Sequence, residues 1–163
     1  MKKITIVRHA KSSWEGNFAD INRPLNTRGI NDLKLMTSAL RPYNLNPDCV
    51  LSSPANRALT TAIFFLENLN FNIKSPKIVD KLYDFSGNNL ISVIKKIDNQ
   101  YAHTMLFGHN HAITYFVNTY GDIAIANVPT CGLVSIDFPI TNWSDLKKGH
   151  TTQVLFPSEL RSR

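Results

Sequence analysis

Cysteine is scarce. The 163 residues hold only two, Cys49 and Cys131, too few for a disulfide framework. Each sits in or beside an apolar run, so both are expected as buried free thiols rather than catalytic ones. No stretch nears the roughly 18 consecutive apolar residues that a membrane-crossing helix requires. The opening Met1-Lys2-Lys3-Ile4-Thr5-Ile6-Val7-Arg8 is basic and then apolar, but the apolar part is too short for a signal peptide and Arg8 interrupts it. It reads as the first strand of a cytoplasmic protein. Internal repeats, low-complexity tracts and linkers are lacking, so residues 1–163 are expected to form a single domain around one core. Acidic residues are outnumbered, 12 Asp and Glu against 18 Lys and Arg, for a formal charge of +6. That balance favours an anionic substrate or partner. The basic residues are nevertheless scattered, with a mild cluster at Lys147, Lys148, Arg161 and Arg163. No nucleic-acid motif accompanies them, so a solvated basic surface is preferred over nucleic-acid binding.

What is present is an alternation of short β-rich runs with helical patterns. Ile4–Val7, Asp48–Leu51, Ile78-Val79 and Thr104–Phe107 read as strands, with Leu133–Phe138 and Thr152–Phe156 as a closing hairpin or antiparallel edge. Residues 27 to 41 carry Ile30, Leu33, Met36 and Leu40 near helical spacing, with Thr27 as a possible N-cap. Pro54 suits the first turn of a helix continued by Ala58, Ala62, Phe65, Leu66 and Leu69. Leu90, Val93, Ile94 and Ile97 follow the i, i+3, i+4, i+7 rule. Ile113, Phe116, Val117 and Tyr120 mark a further helix that Gly121 would stop. This order implies an α/β fold, a three-layer α/β/α sandwich around a mostly parallel sheet. In such sheets ligands bind beyond the carboxyl ends of the strands.

The residues at those ends form a chemically coherent set. Arg8-His9-Ala10-Lys11-Ser12 follows the first strand, Ser52-Ser53-Pro54-Ala55-Asn56-Arg57 the second, and Gly108-His109-Asn110-His111 the strand at 104–107. A phosphoryl group in transfer spreads charge over three peripheral oxygens. Arginine answers that charge with a planar fork of donors, and helix N-termini near Arg57 and His109 add backbone donors. A neutral imidazole can attack phosphorus and form a covalent intermediate. Either motif taken alone is weak; their joint placement with Arg57 at three strand ends carries the catalytic reading. A metal site built from His109, His111, His9 and His103 is disfavoured, because no Asp, Glu or Cys completes a ligand pattern and Arg8 and Arg57 would repel a cation.

These three motifs together resemble the histidine phosphatase superfamily, with its phosphoglycerate mutase-like fold. The short length, Lys11-Ser12 and Asn22-Arg23-Pro24-Leu25-Asn26-Thr27-Arg28-Gly29 are similar to its SixA-type phosphohistidine phosphatase branch. Leu82-Tyr83-Asp84 and Val128-Pro129-Thr130 look like further segments of it. The resemblance covers residue 4 to about 138. It implies that His9 is the nucleophile and is transiently phosphorylated. Arg8, Arg57 and His109 would complete a phosphate pocket, with Arg23 as an added cation and neither metal nor cofactor required. Its substrates would be a phosphorylated protein, such as a phosphohistidine domain, or a small phosphorylated molecule.

Two departures stand out. Asn22 occupies the place of an expected acidic residue, and Asp20 lies close by. His111 stands where a proline is common, where it could shape the rim, contact substrate or do neither. Many relatives that cleave phosphate esters protonate the departing alkoxide with a carboxylic acid. By position the candidate here is Asp84, with a surface Asp in a turn as the competing reading. A poor acid matters less for phosphohistidine, whose imidazole leaving group is less basic than an alkoxide. The brief connection from Leu69 to Leu90 leaves little chain for a lid, so an open site is expected, and a roof built from residues 70–90 would contradict it. Trp14 and Phe18 are candidates for lining the rim. A general phosphomonoesterase with the same pocket and a non-catalytic phosphate-binding module are the rival readings.

Overall fold

The computed structural model describes residues 1–161. Six strands form one sheet: β1 (Lys2–Arg8), β2 (Cys49–Ser52), β3 (Lys77–Ile78), β4 (His103–Gly108), β5 (Leu133–Phe138) and β6 (His150–Leu155). Their spatial order is β3-β2-β4-β1-β5-β6. β1, β2, β3 and β4 run parallel, with Ile4 opposite Thr104 and Arg8 opposite Gly108. β5 is antiparallel to β1, and β6 to β5. The sheet is therefore mixed, with a parallel body and an antiparallel edge hairpin.

Among the described residues five α-helices cover the two faces: α1 (Thr27–Leu40), α2 (Asn56–Asn68), α3 (Asn88–Lys95), α4 (Ala112–Tyr120) and α5 (Pro157–Arg161). The period-two alternation of the central strands splits the core accordingly. Ile4, Ile6, Leu51 and Leu106 pack with Leu90, Ile94, Ile113, Phe116 and Val117 of α3 and α4. Val7, Val50, Met105 and Phe107 pack on the opposite face with Leu33, Met36, Ala62, Phe65 and Leu160 of α1, α2 and α5. The α/β/α sandwich expected from the sequence is thus present. No helix among the described residues is long and apolar enough to cross a membrane.

Several local expectations change. Asn26, not Thr27, caps α1: its side chain accepts from the Gly29 N–H at 2.8 Å. Ile30 is 43% exposed rather than in the core, because Leu33, Met36 and Leu40 already fill the inward stripe of α1. Pro54 lies just before α2, which begins at Asn56. Helix α5 lacks a periodic apolar pattern. It is held by a two-pronged ion pair from Arg161 to the buried Asp32 of α1, at 2.9 and 2.7 Å. That pairing takes Arg161 out of the basic cluster; Lys147 and Lys148 are exposed, and Arg163 lies outside the described residues. Cys49 and Cys131 are both free and buried, and burial pushes both thiols up, away from nucleophilic use.

Candidate active site

The parallel strands β1, β2 and β4 all end on the same rim. Arg8 closes β1 and His9 follows it; Ser53 and Arg57 follow β2; His109 follows β4. The chain around His9 is pinned on two sides. Its N–H donates to Gly108 O at 3.1 Å, and its carbonyl, like that of Arg8, accepts from the Cys131 N–H at 3.0 Å. The Ala10 N–H donates to Thr61 Oγ1 on α2. Beyond it, the Lys11 carbonyl accepts from the Asn26 N–H at 3.0 Å. There Gly29 lies so close that any Cβ on it would overlap the Lys11 carbonyl oxygen. The glycine in the Arg23-to-Gly29 segment thus lets α1 seat directly on the loop that carries His9.

The hydrogen bond at His9 Nδ1 settles its tautomer. Nδ1 lies 2.7 Å from the Ala10 carbonyl oxygen, and a carbonyl can only accept, so Nδ1 carries the hydrogen. Nε2 is left with its lone pair. Burial, with Arg57, Arg8 and Arg23 nearby, pushes the His9 pKa down to about 3 despite the opposing pull of the Ala10 carbonyl. The imidazole is therefore neutral at any ordinary pH. His109 stands beside it, ring centroids 5.2 Å apart. It is pushed down to about 3 by burial, then by His9 and Arg57. Its Nε2 lies 2.7 Å from Ser53 Oγ, which already accepts from the Ala55 N–H. The Ser53 hydroxyl hydrogen is thus available to Nε2, and the buried Nδ1 has no protein partner.

Three arginines complete the cluster. Arg8 donates from Nη1 to Val128 O at 3.0 Å, which gives the Val128-Pro129-Thr130 segment its place at the site. Arg57 is 3% exposed and Arg23 8%. Nε atoms of all three, and Nη1 of Arg23, are buried without a protein partner. Buried N–H donors left without a hydrogen-bond acceptor are costly, and a bound oxyanion would satisfy them.

Asp20 supplies the acidic partner that Asn22 does not. Its backbone carbonyl accepts from Arg57 Nη1 at 2.8 Å and its Oδ2 from Arg57 Nη2 at 3.1 Å. Oδ1 lies 3.5 Å from Arg23 Nε, and the Tyr83 hydroxyl donates to Oδ2. The Tyr83 bond and the Arg57 contact hold the Asp20 carboxyl below its ordinary range. Asp20, Tyr83 and Ser53 went unassigned in the sequence because their roles come from contacts across loops; the nearness of Asp20 to Arg23 was the one available signal.

The structure corrects the reading of Asp84. It is 7% exposed, and both carboxylate oxygens are taken up at the start of α3. Oδ2 accepts from the Gly87 and Leu90 N–H groups, both at 3.0 Å, and Oδ1 from the Ser86 N–H and hydroxyl at 3.2 and 3.1 Å. Burial alone would raise its pKa, but the Leu90, Ser86 and Gly87 donors outweigh it and hold it down. An ionised carboxylate engaged in this way has no proton to donate at neutral pH. The 70–90 connection also does more than skirt the site. Tyr83 and Phe85 pack against the His109 ring at centroid distances of 5.4 and 5.1 Å. With Tyr83 bonded to Asp20 they form a wall along one side of the site. His111 meets this wall through its backbone, donating its N–H to Phe85 O at 3.0 Å. Among the described residues no three His, Cys, Asp or Glu side chains gather as a metal site would require.

Comparison with known proteins agrees with this geometry. Residues 4–90 match the model of the histidine phosphatase superfamily, branch 1. An uncharacterised protein of Mycobacterium tuberculosis is 26% identical over 160 residues, covering 92% of this chain and 98% of that protein. Among solved structures, the protein histidine phosphatase SixA complexed with tungstate superposes with a TM-score of 0.80 at 21% identity, covering 97% of this chain and 99% of that one. The SixA protein of Agrobacterium tumefaciens gives 0.74 at 24% identity, covering 83% and 91%. A phosphoserine phosphatase of Entamoeba histolytica gives 0.64 at 13%, covering 98% and 100%.

Proposed function

The chain belongs to the histidine phosphatase superfamily, and from that footing we propose that residues 1–163 act as one phosphatase domain that removes phosphate from phosphohistidine on a protein. The observation that carries the mechanism is the bond from His9 Nδ1 to the Ala10 carbonyl, which presents Nε2 as a neutral nucleophile. Nε2 attacks phosphorus, and a P–Nε2 bond forms as the P–N bond to the substrate imidazole breaks. The buried guanidinium donors of Arg8, Arg57 and Arg23, with the free Nδ1 of His109, stabilise charge on the peripheral oxygens. The departing imidazole takes its proton from solvent. Water then attacks phosphorus on phospho-His9, the P–Nε2 bond breaks, and orthophosphate leaves with His9 restored.

The preference for phosphohistidine rests on the lack of a carboxylic acid in protonated form. Asp84 is spent on α3, and Asp20 is kept ionised by Tyr83 and Arg57. An alkoxide needs such an acid more than an imidazole does. The SixA neighbours, one of them a protein histidine phosphatase complexed with tungstate, point the same way.

The test is to incubate chelator-treated enzyme with a histidine-phosphorylated protein domain and with p-nitrophenyl phosphate. Phosphate release is followed and the enzyme is quenched rapidly, with His9→Ala as control. An acid-labile, base-stable phosphate on wild type alone, with faster turnover of the domain, is expected. Faster turnover of the ester would replace this reading with a general phosphomonoesterase. Phosphate binding without phosphoenzyme or release would leave a binding module.

A further inference from the structure

Arg8 is held differently from the other two arginines of the pocket. Arg57 and Arg23 both face the Asp20 carboxylate. Among the described residues Arg8 has no carboxylate partner, and its side chain makes one hydrogen bond, from Nη1 to the Val128 carbonyl at 3.0 Å. The aim of its guanidinium therefore depends on where that carbonyl stands. Val128 lies between α4 and β5, in neither helix nor strand, so no ladder of backbone bonds fixes it and side chains must.

Those side chains come from one row. Asn110, Thr114 and Asn118 recur every four residues, along one face of α4 and the turn that leads into it. Asn118 brackets Ile125: its Oδ1 accepts from the Ile125 N–H at 2.9 Å, and its Nδ2 donates to the Ile125 carbonyl at 2.7 Å. Thr114 Oγ1 accepts from the Val128 N–H at 3.0 Å and donates to Asn110 Oδ1 at 2.9 Å. Asn110 Nδ2 donates to Asn127 Oδ1 at 2.9 Å and reaches the Val128 carbonyl at 3.3 Å. Both backbone polar groups of Ile125, and both of Val128, thus end on these three side chains. The same stretch continues to Cys131 and Gly132, whose backbone groups bond the main chain of Arg8.

We propose that Thr114, braced by Asn110 and Asn118, is a positioning residue for Arg8: it fixes the Val128 carbonyl and so aims the guanidinium at the phosphoryl oxygens. This role rests on the phosphatase reading above, and Thr114 acts in it without touching the reacting groups. Its hydroxyl is the pivot of the row, because it joins the Val128 N–H to Asn110. Thr114 and Val128 are both buried. Without the hydroxyl the Val128 N–H is a buried donor lacking an acceptor, and the stretch has to shift to recover one. An arginine tied to a carboxylate would tolerate that shift; Arg8 has no such tie.

The experiment titrates wild type, Thr114→Val and Thr114→Ser with tungstate, a tetrahedral oxyanion like phosphate, well below the Tm of each variant. Valine keeps the shape of threonine and removes the hydroxyl; serine keeps the hydroxyl. Thr114→Val is expected to weaken tungstate binding about fivefold or more, and Thr114→Ser less than about twofold. The titration is repeated with Arg8→Ala in place. There Thr114→Val is expected to cost less than about twofold further, since no guanidinium is left to misplace. Equal losses with and without Arg8 would show that Thr114 acts elsewhere and would overturn the proposal. So would no loss from Thr114→Val, or a serine variant as weak as the valine one. Tungstate binding needs no turnover, so a protein that shows the expected pattern but leaves phosphohistidine intact would overturn the proposed function and support this role for Thr114.

Discussion

Asp84→Asn separates a capping carboxylate from a proton donor. Four donors from Ser86, Gly87 and Leu90 meet the two oxygens of a 7% exposed side chain. Asparagine keeps one acceptor oxygen and turns an NH₂ group toward donors that need an acceptor. At least one of the N–H groups is left unpaired, at a cost of about 1–3 kcal/mol. The lost negative charge at the start of α3 adds about 0.3–1 kcal/mol. The sum, about 1–4 kcal/mol, corresponds to a fall in Tm of roughly 3–15 °C for a chain of this size. Because Asp84 is held below its ordinary pKa, its stabilisation is present above about pH 4. It is lost as pH falls through its folded value, so the gap between variant and wild type should narrow in acid. Calorimetry checks the stability, and kcat/KM on a phosphohistidine substrate at pH 7, well below the variant's Tm, checks the chemistry. Activity within about threefold of wild type is expected. A loss of about 10²-fold with an unchanged Tm would be the mark of a general acid and would refute the reasoning.

Gly29→Ala forces a methyl group into the Lys11 carbonyl; the expected result is about 1–3 kcal/mol of destabilisation together with a drop in kcat larger than the rise in KM, read from denaturant unfolding and steady-state kinetics. Acidification should weaken the fold without first protonating the nucleophile. His9 and His109 are pushed down to about 3 and His103 to about 4, mainly by burial, so below pH 6.5 the unfolded chain takes up protons that the native one refuses. Stability should therefore fall as pH drops from about 6.5, with a slope of at most ~4 kcal/mol per pH unit for three histidines. Meanwhile the rate of phospho-His9 formation should stay level from pH 7 to 5, whereas a titration near 6.5 would show that His9 is not held neutral.

The limits of the sequence as a guide follow from how far each contact reaches along the chain. Arg8, His9, Arg57 and His109 could be placed because each sits within a few residues of a β-strand end, and strand ends are legible from apolar runs and the turns after them. Helices α1 to α4 were legible for the same reason: each repeats an apolar stripe. Helix α5 was not, since it is short, buries only Pro157 and Leu160, and is further held by the ion pair of Arg161 with Asp32, 129 positions apart. Asp84 shows the opposite failure. It stands in the right stretch to be an acid, but its role is set by the backbone N–H groups of Ser86, Gly87 and Leu90, leading into the next helix, which no residue pattern displays.

The His9 tautomer is a matter of backbone path as well. Nothing in Arg8-His9-Ala10 says which ring nitrogen keeps its lone pair. That choice depends on the Ala10 carbonyl turning back to Nδ1, while Cys131, Thr61 and Gly108 hold the surrounding chain in place. On the proposed mechanism, a neutral His9 surrounded by three arginines needs no base to activate it, so the catalytic power would lie in keeping those cations desolvated and together. Asp20 is the group best placed to do so, because it engages both Arg57 and Arg23 while the Tyr83 hydroxyl holds it to the opposite wall.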